Sequence, residues 1–230
     1  MRVIAGSVKG LRLKAPSTQK VRPVADKVKG AIFNILGDIS GTRVLDLFAG
    51  SGSVGIEALS REASFCVFVE ADKNIASYLQ KNLEHCCLEK KAKLLVQKVS
   101  RAIPWLEKKG QTFDLIFVDP PYDKNLLNPT LELLCQHPSL LSPHSLLVIE
   151  HSPRELPKQA IAVEGEAPSA PIDSFSLAQG PEPVEGLPVE GATRAPVIEE
   201  MLEIIDSRKY GQTFISLMKL APSPPDSKNG

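Results

Sequence analysis

An apolar run that ends in an acid and two prolines constrains this chain more than any other stretch. Residues 113–118 (FDLIFV) have the composition of a buried strand, and Asp119, Pro120 and Pro121 follow at once. Proline donates no hydrogen bond to a sheet ladder and restricts the preceding residue to an extended conformation. The strand must therefore end here, with Asp119 pointing out of its carboxyl end, where open parallel sheets bind ligands.

These residues and Tyr122 would form a rigid set of acceptors beside an aromatic ring. The Asp119 carboxylate and the Pro120 carbonyl can each accept one N–H hydrogen, and Tyr122 can stack on the ring that carries the amine. We therefore predict that Asp119, Pro120, Pro121 and Tyr122 receive a planar exocyclic amine. Taken alone, the stretch fits a plain strand-to-turn junction equally well, because Asp-Pro and Pro-Pro are common breakers.

A glycine-rich turn follows an earlier apolar strand. Residues 43–48 (RVLDLF) lead into Ala49-Gly50-Ser51-Gly52 and then into an amphipathic helical pattern. Gly50 and Gly52 permit backbone conformations that let the chain turn tightly and present its amides to a ligand. With Gly55 they spell Gly-x-Gly-x-x-Gly, which is typical of dinucleotide folds, of other nucleoside-cofactor folds and of turns without a ligand.

The next apolar strand, residues 65–70 (FCVFVE), ends in Glu70. This is the position expected for a carboxylate that accepts hydrogen bonds from both ribose hydroxyls of a nucleoside cofactor. Glu70 therefore favours a nucleoside cofactor over a plain turn at the glycines. The alternative is that Glu70 caps the following helix, since acids are common at helix N-termini.

The rest of the chain alternates between strand and helix patterns, which predicts a doubly wound α/β domain with a mostly parallel sheet. Two apolar runs around a turn at 209–211 close the chain and predict an antiparallel strand at the sheet edge. The other predicted elements are helices over 24–36, 72–86, 103–109 and 125–136 and strands over 93–97 and 145–150.

Charge is distributed unevenly. Residues 1–43 carry nine Lys or Arg against two Asp, a net charge of +7, although the whole chain has a net charge of 0. A basic head on a neutral chain predicts contact with a polyanion, and a merely solvated surface is the alternative. The side chains predicted to contact this polyanion lie in a glycine-cornered hairpin (1–14) and near the first helix: Arg2, Lys9, Arg12, Lys14, Arg22 and Lys27.

The 230 residues, 43% of them hydrophobic, suffice for one α/β domain with appendages. We predict a basic extension (1–40), a core domain (41–158 and 198–221), an acidic low-complexity insertion that is disordered (159–197) and a disordered tail (222–230). No apolar stretch has the length of a membrane helix, and the four cysteines have no metal-site spacing. We therefore expect a cytoplasmic monomer with no metal and no membrane partner.

Together these motifs resemble the class I S-adenosylmethionine-dependent methyltransferases, and in particular the bacterial 16S ribosomal RNA guanine-N2 methyltransferases of the guanine-966 type. The resemblance covers most of residues 1–158 and resumes at about 201–220. The motifs that carry it are Arg2-Val3-Ile4-Ala5-Gly6, Lys9-Gly10, Arg22-Pro23, Asp26-Lys27-Val28, Phe33-Asn34, Asp46-Leu47-Phe48-Ala49-Gly50-Ser51-Gly52, Gly55, Glu57-Ala58-Leu59-Ser60-Arg61 and Val118-Asp119-Pro120-Pro121-Tyr122.

The resemblance implies a Rossmann-like sheet of seven strands and methyl transfer from S-adenosylmethionine to the N2 amine of one guanine in 16S ribosomal RNA, in the small subunit or an assembly intermediate. Arg101 departs from the family, which usually carries an acid or asparagine before the residue equivalent to Ala102. The cofactor-binding residues implied by the resemblance are Asp46, Phe48, Ala49, Gly50, Ser51, Gly52, Glu70, Ala71 and Asp119.

Three other functions remain open on sequence. The same acceptors would suit adenine or cytosine in DNA. The glycine turn with Glu70 would suit a nicotinamide-dependent dehydrogenase, although that leaves Asp119 and Tyr122 without a role. An RNA-binding protein without catalysis is the third alternative, because Arg101 alters the cofactor pattern.

Overall fold

The computed structural model describes residues 1–16, 23–122, 124–157 and 198–221. The acidic segment, the C-terminal tail and Arg22 lie outside these residues, so the expectations about them remain predictions. Within the described ranges, no helix is both long enough and apolar enough to cross a membrane.

Seven strands form one mixed sheet in the order β3-β2-β1-β4-β5-β7-β6. Strands β1 to β5 pair in parallel, whereas β7 runs antiparallel to both β5 and β6. The strands are β1 (Arg43–Leu47), β2 (Phe65–Glu70), β3 (Ala92–Val96), β4 (Phe113–Val118), β5 (Leu141–His151), β6 (Leu202–Tyr210) and β7 (Thr213–Leu220). The predicted mostly parallel sheet is confirmed, and the C-terminal hairpin places β7 inside the sheet and β6 at its edge.

Helices cover both faces of the sheet, which explains why its central strands are apolar on both sides. Residues Val44, Phe68 and Leu115 lie in one buried cluster and Leu45, Val67 and Ile116 lie in the other. The helices are α1 (Pro23–Leu36), α2 (Ser53–Ser60), α3 (Lys73–His85), α4 (Val99–Lys108), α5 (Leu127–Gln136) and α6 (Ile198–Met201), with short 3-10 helices at Glu89–Lys91 and Pro138–Leu140.

Two predicted elements begin four residues earlier in the structure, and a third differs in kind. Helix α4 begins at Val99 instead of 103, because buried apolar residues recur at helical spacing from Val99 onward and Pro104 is accommodated within the helix. Strand β5 begins at Leu141 instead of 145. The predicted N-terminal hairpin is a turn with one antiparallel bridge, between Arg2 and Arg12, and not a pair of regular strands.

Buried charged side chains bind the N-terminal segment to α2. Glu57, which is fully buried, accepts hydrogen bonds from the backbone amides of Ile4 (2.7 Å) and Ala5 (3.0 Å). Lys29, also buried, lies 3.4 Å from Glu57 and donates to the carbonyl of Arg2 at 2.8 Å. Because breaking a buried ion pair leaves an uncompensated charge, this network fixes the basic head against the domain.

Candidate active site

The carboxyl ends of β1, β2, β4 and β5 surround a cavity of about 1130 Å³. The β6–β7 turn forms a further wall, with Tyr210 and Thr213. A cavity of this size can hold a nucleoside cofactor together with part of a second molecule. Eleven of the predicted site residues line it: Asp46, Phe48, Ala49, Gly50, Ser51, Glu70, Ala71, Asp119, Pro120, Pro121 and Tyr122.

The glycine turn is held open by unusual backbone conformations. Phe48 has φ 61°, which is strained for a residue with a side chain, and Gly50 has φ 57°. A Cβ atom added at Gly50 would meet no atom within 4 Å, so the backbone at Gly50 borders open space. The turn therefore leaves room for a ligand beside Gly50, while the amides of Ala49 and Gly50 donate to the carbonyl of Val69 and to Glu70.

Gly52 packs closely against α3. It is not among the residues that line the cavity. A Cβ atom at Gly52 would lie 2.1 Å from Cδ1 of Leu79, and its φ is 86°. Gly52 therefore lets the turn pack against α3, and its contact with the cofactor stays a prediction.

Glu70 connects the end of β2 to the glycine turn. Its Oε2 atom accepts the Gly50 amide at 2.9 Å, and its Oε1 atom accepts the Asp72 amide at 2.7 Å. Each carboxylate oxygen keeps a second lone pair, so Glu70 can still accept hydrogen bonds from a diol in the cavity. The cap of α3 is Asp72, which accepts from the amides of Asn74 and Ile75, so the alternative that Glu70 caps this helix is wrong.

Asp46 lies beneath the turn and is only 3% exposed. Its Oδ2 atom accepts the Gly55 amide at 3.0 Å and so fixes the start of α2. Burial, with a smaller contribution from the charge of Glu70, raises the pKa of Asp46 to about 7, although the Gly55 hydrogen bond opposes this. Asp46 is therefore partly protonated near neutral pH.

Asp119 stands between two neighbouring strand ends. Val118 pairs with Leu47 on one side and with Ile149 on the other, so Asp119 lies level with Phe48 and Glu150. Asp119 is exposed to the open cavity, yet the cavity walls surround its carboxyl group. Burial within these walls, followed by the charges of Glu150 and Asp46, raises the pKa of Asp119 well above its ordinary value.

Tyr122 is fixed by groups from two other elements. Its hydroxyl donates to Oε1 of Glu150 at 3.1 Å and lies 3.0 Å from Oγ1 of Thr213. Burial is the main cause that raises the pKa of Tyr122, so the phenol is neutral and remains a donor. The ring of Tyr122 is thus held in one orientation at the cavity wall.

Sequence reasoning missed three contributors to the cavity. Glu150 could have been found from the sequence, because it is a third acid near the end of an apolar strand. Thr213 carries none, since it lies far along the chain in a hairpin turn. The segment 97–100 also lines the cavity. The neighbouring Arg101 is exposed and does not line it. Ser100, and not Arg101, therefore borders the expected cofactor site.

Comparison with known proteins identifies the family. The model of the family described as conserved hypothetical protein 95 matches residues 1–165. A Bacillus subtilis (strain 168) protein described as a proposed rRNA methyltransferase is 42% identical over 160 residues, which is 69% of this chain and 86% of that protein. The ribosomal RNA small subunit methyltransferase D of Haemophilus influenzae is 37% identical over 154 residues, 65% of this chain and 78% of that protein.

A solved structure has the same fold. A proposed methyltransferase from Escherichia coli superposes with a TM-score of 0.67 at 25% identity, covering 97% of this chain and 99% of that chain. The expected class I methyltransferase fold is confirmed. The nicotinamide dehydrogenase alternative is therefore removed. The chain belongs to the conserved hypothetical protein 95 family.

Proposed function

We propose that this protein transfers the methyl group of S-adenosylmethionine to the exocyclic N2 amine of a guanine in 16S ribosomal RNA of the small subunit. The observation that carries the proposal is the shared cavity. It joins the glycine turn and Glu70 with Asp119 and Tyr122. The name of the Haemophilus influenzae relative supports ribosomal RNA of the small subunit as the substrate.

The residues on one side of the cavity suit the cofactor. The open backbone at Gly50 can accommodate its amino-acid part, and Glu70 retains lone pairs for the ribose hydroxyls. Residues 97–100 border the same space and are placed to contact the adenine. When bound, S-adenosylmethionine supplies an electrophilic sulfonium methyl group.

The residues on the other side suit the amine. The guanine N2 lone pair is delocalised into the ring, so the free amine is a poor nucleophile. Hydrogen bonds from its two N–H groups to the Asp119 carboxylate and the Pro120 carbonyl would favour a pyramidal nitrogen and direct its lone pair. Positioning of this kind supplies most of the rate enhancement that we propose.

Proton transfer follows from the same contact. The nitrogen would gain a positive charge as its bond to the methyl carbon forms and the bond from that carbon to the sulfonium sulfur breaks, leaving a neutral thioether, and the nitrogen would then lose one proton. Asp119 is the nearest acceptor in this arrangement and must be ionised to take the proton. Because its pKa is raised, the ionised fraction increases as the pH rises, and we expect the transfer rate to increase with it.

The base must leave its stack to reach Asp119. Tyr122, fixed by Glu150 and Thr213, offers a rigid aromatic surface that offsets part of the unstacking cost. The basic head can contact the flanking phosphates, since five of its cationic side chains are exposed and the first residue, Met1, lines the cavity. These side chains are Arg2, Lys9, Arg12, Lys14 and Lys27.

The test is to map methylated nucleotides in small-subunit ribosomal RNA after incubation with labelled cofactor. We expect one N2-methylguanine with the native protein and none with Asp119→Ala, while calorimetry shows that the variant still binds S-adenosylmethionine. Asp119→Asn keeps one acceptor but cannot take the proton, so its rate should be at least 100-fold lower. Label in DNA and not in ribosomal RNA, or normal turnover by Asp119→Ala, would contradict the proposal.

A further inference from the structure

Cationic side chains are concentrated on one exposed face of α4, away from the basic N-terminal head. Residues 98, 101, 105 and 108 are separated by three or four positions, so they lie along one side of the helix. Lys93 of the edge strand β3 and Lys109 adjoin this face. We name the set the α4 stripe: Lys93, Lys98, Arg101, Trp105, Lys108 and Lys109.

The stripe contains exposed charge without local neutralisation. Its five cationic side chains are all exposed, and none forms an ion pair with a carboxylate in the part of the chain that the structure describes. Glu107, on the same helix, is engaged elsewhere, by the hydroxyl of Ser139 at 2.7 Å and by the ring of His137. The face is therefore available to an external anion.

Trp105 gathers two of these cations. The Nζ atoms of Lys93 and Lys109 lie 4.6 Å and 5.8 Å from the centroid of its ring. Two ammonium groups around one ring repel each other, although each is attracted to the ring face. A bound anion would reduce the repulsion between the ammonium groups of Lys93 and Lys109, which is present in the free protein.

The N-terminal end of the stripe opposes the stability of its own helix. The first turn of α4 contains no acid. It instead contains Arg101, and Lys98 is its N-cap, where the positive end of the helix dipole disfavours cations. Lys108 lies in the last turn, where a cation is favourable. Lys98 and Arg101 are thus explained better by an anionic partner than by helix stability.

The position of the stripe identifies the partner. Lys98 lines the active-site cavity, and the stripe runs from there along α4 to Lys109. At a rise of 1.5 Å per residue it spans about 16 Å, comparable with four or five stacked nucleotides at roughly 3.4 Å each. A strand whose base occupies the cavity would place its neighbouring phosphates along this path.

We propose that the α4 stripe binds the phosphate backbone of the RNA strand that leaves the cavity, as a second RNA-contacting surface in addition to the N-terminal head. This rests on the proposed function, because it requires an RNA substrate. The contacts are to phosphates, so the stripe contributes affinity and register without reading sequence.

The test compares two double variants with the same change of charge. Arg101→Gln with Lys108→Gln removes two stripe cations that do not line the cavity, and Lys73→Gln with Lys81→Gln removes two exposed cations from α3. Binding of each full-length protein to transcribed 16S ribosomal RNA is measured over a series of KCl concentrations, and calorimetry measures the affinity for S-adenosylmethionine.

For the stripe variant we expect the slope of log Kd against log salt to fall by about 1.5 and affinity at physiological salt to fall roughly tenfold, with unchanged cofactor affinity. The α3 variant should match the native protein. Equal slopes for the two variants would overturn the proposal. The proposal would also be overturned if the stripe variant bound free RNA like the native protein but lost turnover on assembled subunits. That result would indicate a ribosomal protein as the partner of the stripe. If the native protein methylates no RNA, the proposed function itself fails. If it methylates RNA normally and the two variants have equal salt slopes, only the role of the α4 stripe fails.

Discussion

The hydroxyl of Tyr122 lies 3.1 Å from Oε1 of Glu150, so this carboxylate near the end of β5 fixes the aromatic wall next to Asp119. The same carboxylate contributes to the raised pKa of Asp119. Glu150 therefore has two separable effects on the site, one through a hydrogen bond and one through its charge.

Two substitutions separate these effects. Glu150→Gln keeps an oxygen acceptor for Tyr122 but removes the charge, so the pKa of Asp119 falls and the acid limb of the rate–pH profile should move to lower pH. Glu150→Leu shares this shift and also frees the Tyr122 hydroxyl from one partner, so kcat at high pH should fall roughly tenfold further. The measurement is kcat and KM as functions of pH. An unchanged profile for Glu150→Gln would show that the charge has no influence on Asp119.

The sequence predicted the parts of the site that are specified locally. Apolar runs that stop at Glu70 and at Asp119 mark strand ends, and parallel strands bring their carboxyl ends to one edge of the sheet, so the shared cavity was foreseeable. The contribution of Thr213 to the cavity was not foreseeable, because its position depends on the insertion of β7 between β5 and β6. The packing role of Gly52 depends on Leu79 in the same way, since only the folded chain brings α3 against the turn.

Asp46 makes stability depend on pH. Its pKa is about 7 in the folded protein and near 3.8 when unfolded, so the folded state binds its proton more tightly and its contribution is lost as pH rises between these values. Asp46→Asn cannot ionise, and its oxygen can still accept the Gly55 amide. The free energy of unfolding of the variant relative to the native protein should therefore increase by about 2–3 kcal/mol from pH 5 to pH 8. Urea denaturation at both pH values measures this, and a difference that is constant with pH would contradict the raised pKa.

The two glycines of the turn should respond differently to alanine. A Cβ atom at Gly52 would lie 2.1 Å from Leu79, so Gly52→Ala should destabilise the fold by roughly 2–4 kcal/mol. At Gly50 the Cβ atom would meet nothing within 4 Å, so Gly50→Ala should cost about 1 kcal/mol for its positive φ and act mainly on cofactor affinity.

Gly110→Ala provides the control for these two variants. Gly110 has φ 62° with nothing within 4 Å of an added Cβ atom, and it does not line the cavity. Gly110→Ala should show only the loss of stability that a side chain causes at positive φ, with cofactor affinity unchanged. Thermal unfolding and calorimetry give both quantities, and equal cofactor affinities for the Gly50 and Gly110 variants would refute a role for the Gly50 backbone in binding.

The attachment of the basic head can be tested with a matched pair of glycines in its turn. Gly6 and Gly10 have φ 85° and 88°, but a Cβ atom at Gly6 would lie 1.8 Å from the carbonyl oxygen of Ser60, whereas at Gly10 it would meet nothing within 4 Å. Both alanine variants share the backbone penalty, and only Gly6→Ala must displace the head from α2.

Displacement of the head should weaken RNA binding without affecting the cofactor. The exposed cations of the segment, such as Arg2 and Lys9, would no longer be held in place against α2, so we expect affinity for 16S ribosomal RNA to fall roughly tenfold in Gly6→Ala. S-adenosylmethionine affinity should remain within about twofold of the native value, because the turn around Gly50 keeps its own contacts to Glu70 and Val69. Hydrogen exchange at the Ile4 and Ala5 amides, which donate to Glu57, reports the displacement directly. If these amides lose protection in Gly6→Ala while RNA affinity stays equal to that of Gly10→Ala, the head does not contact the RNA.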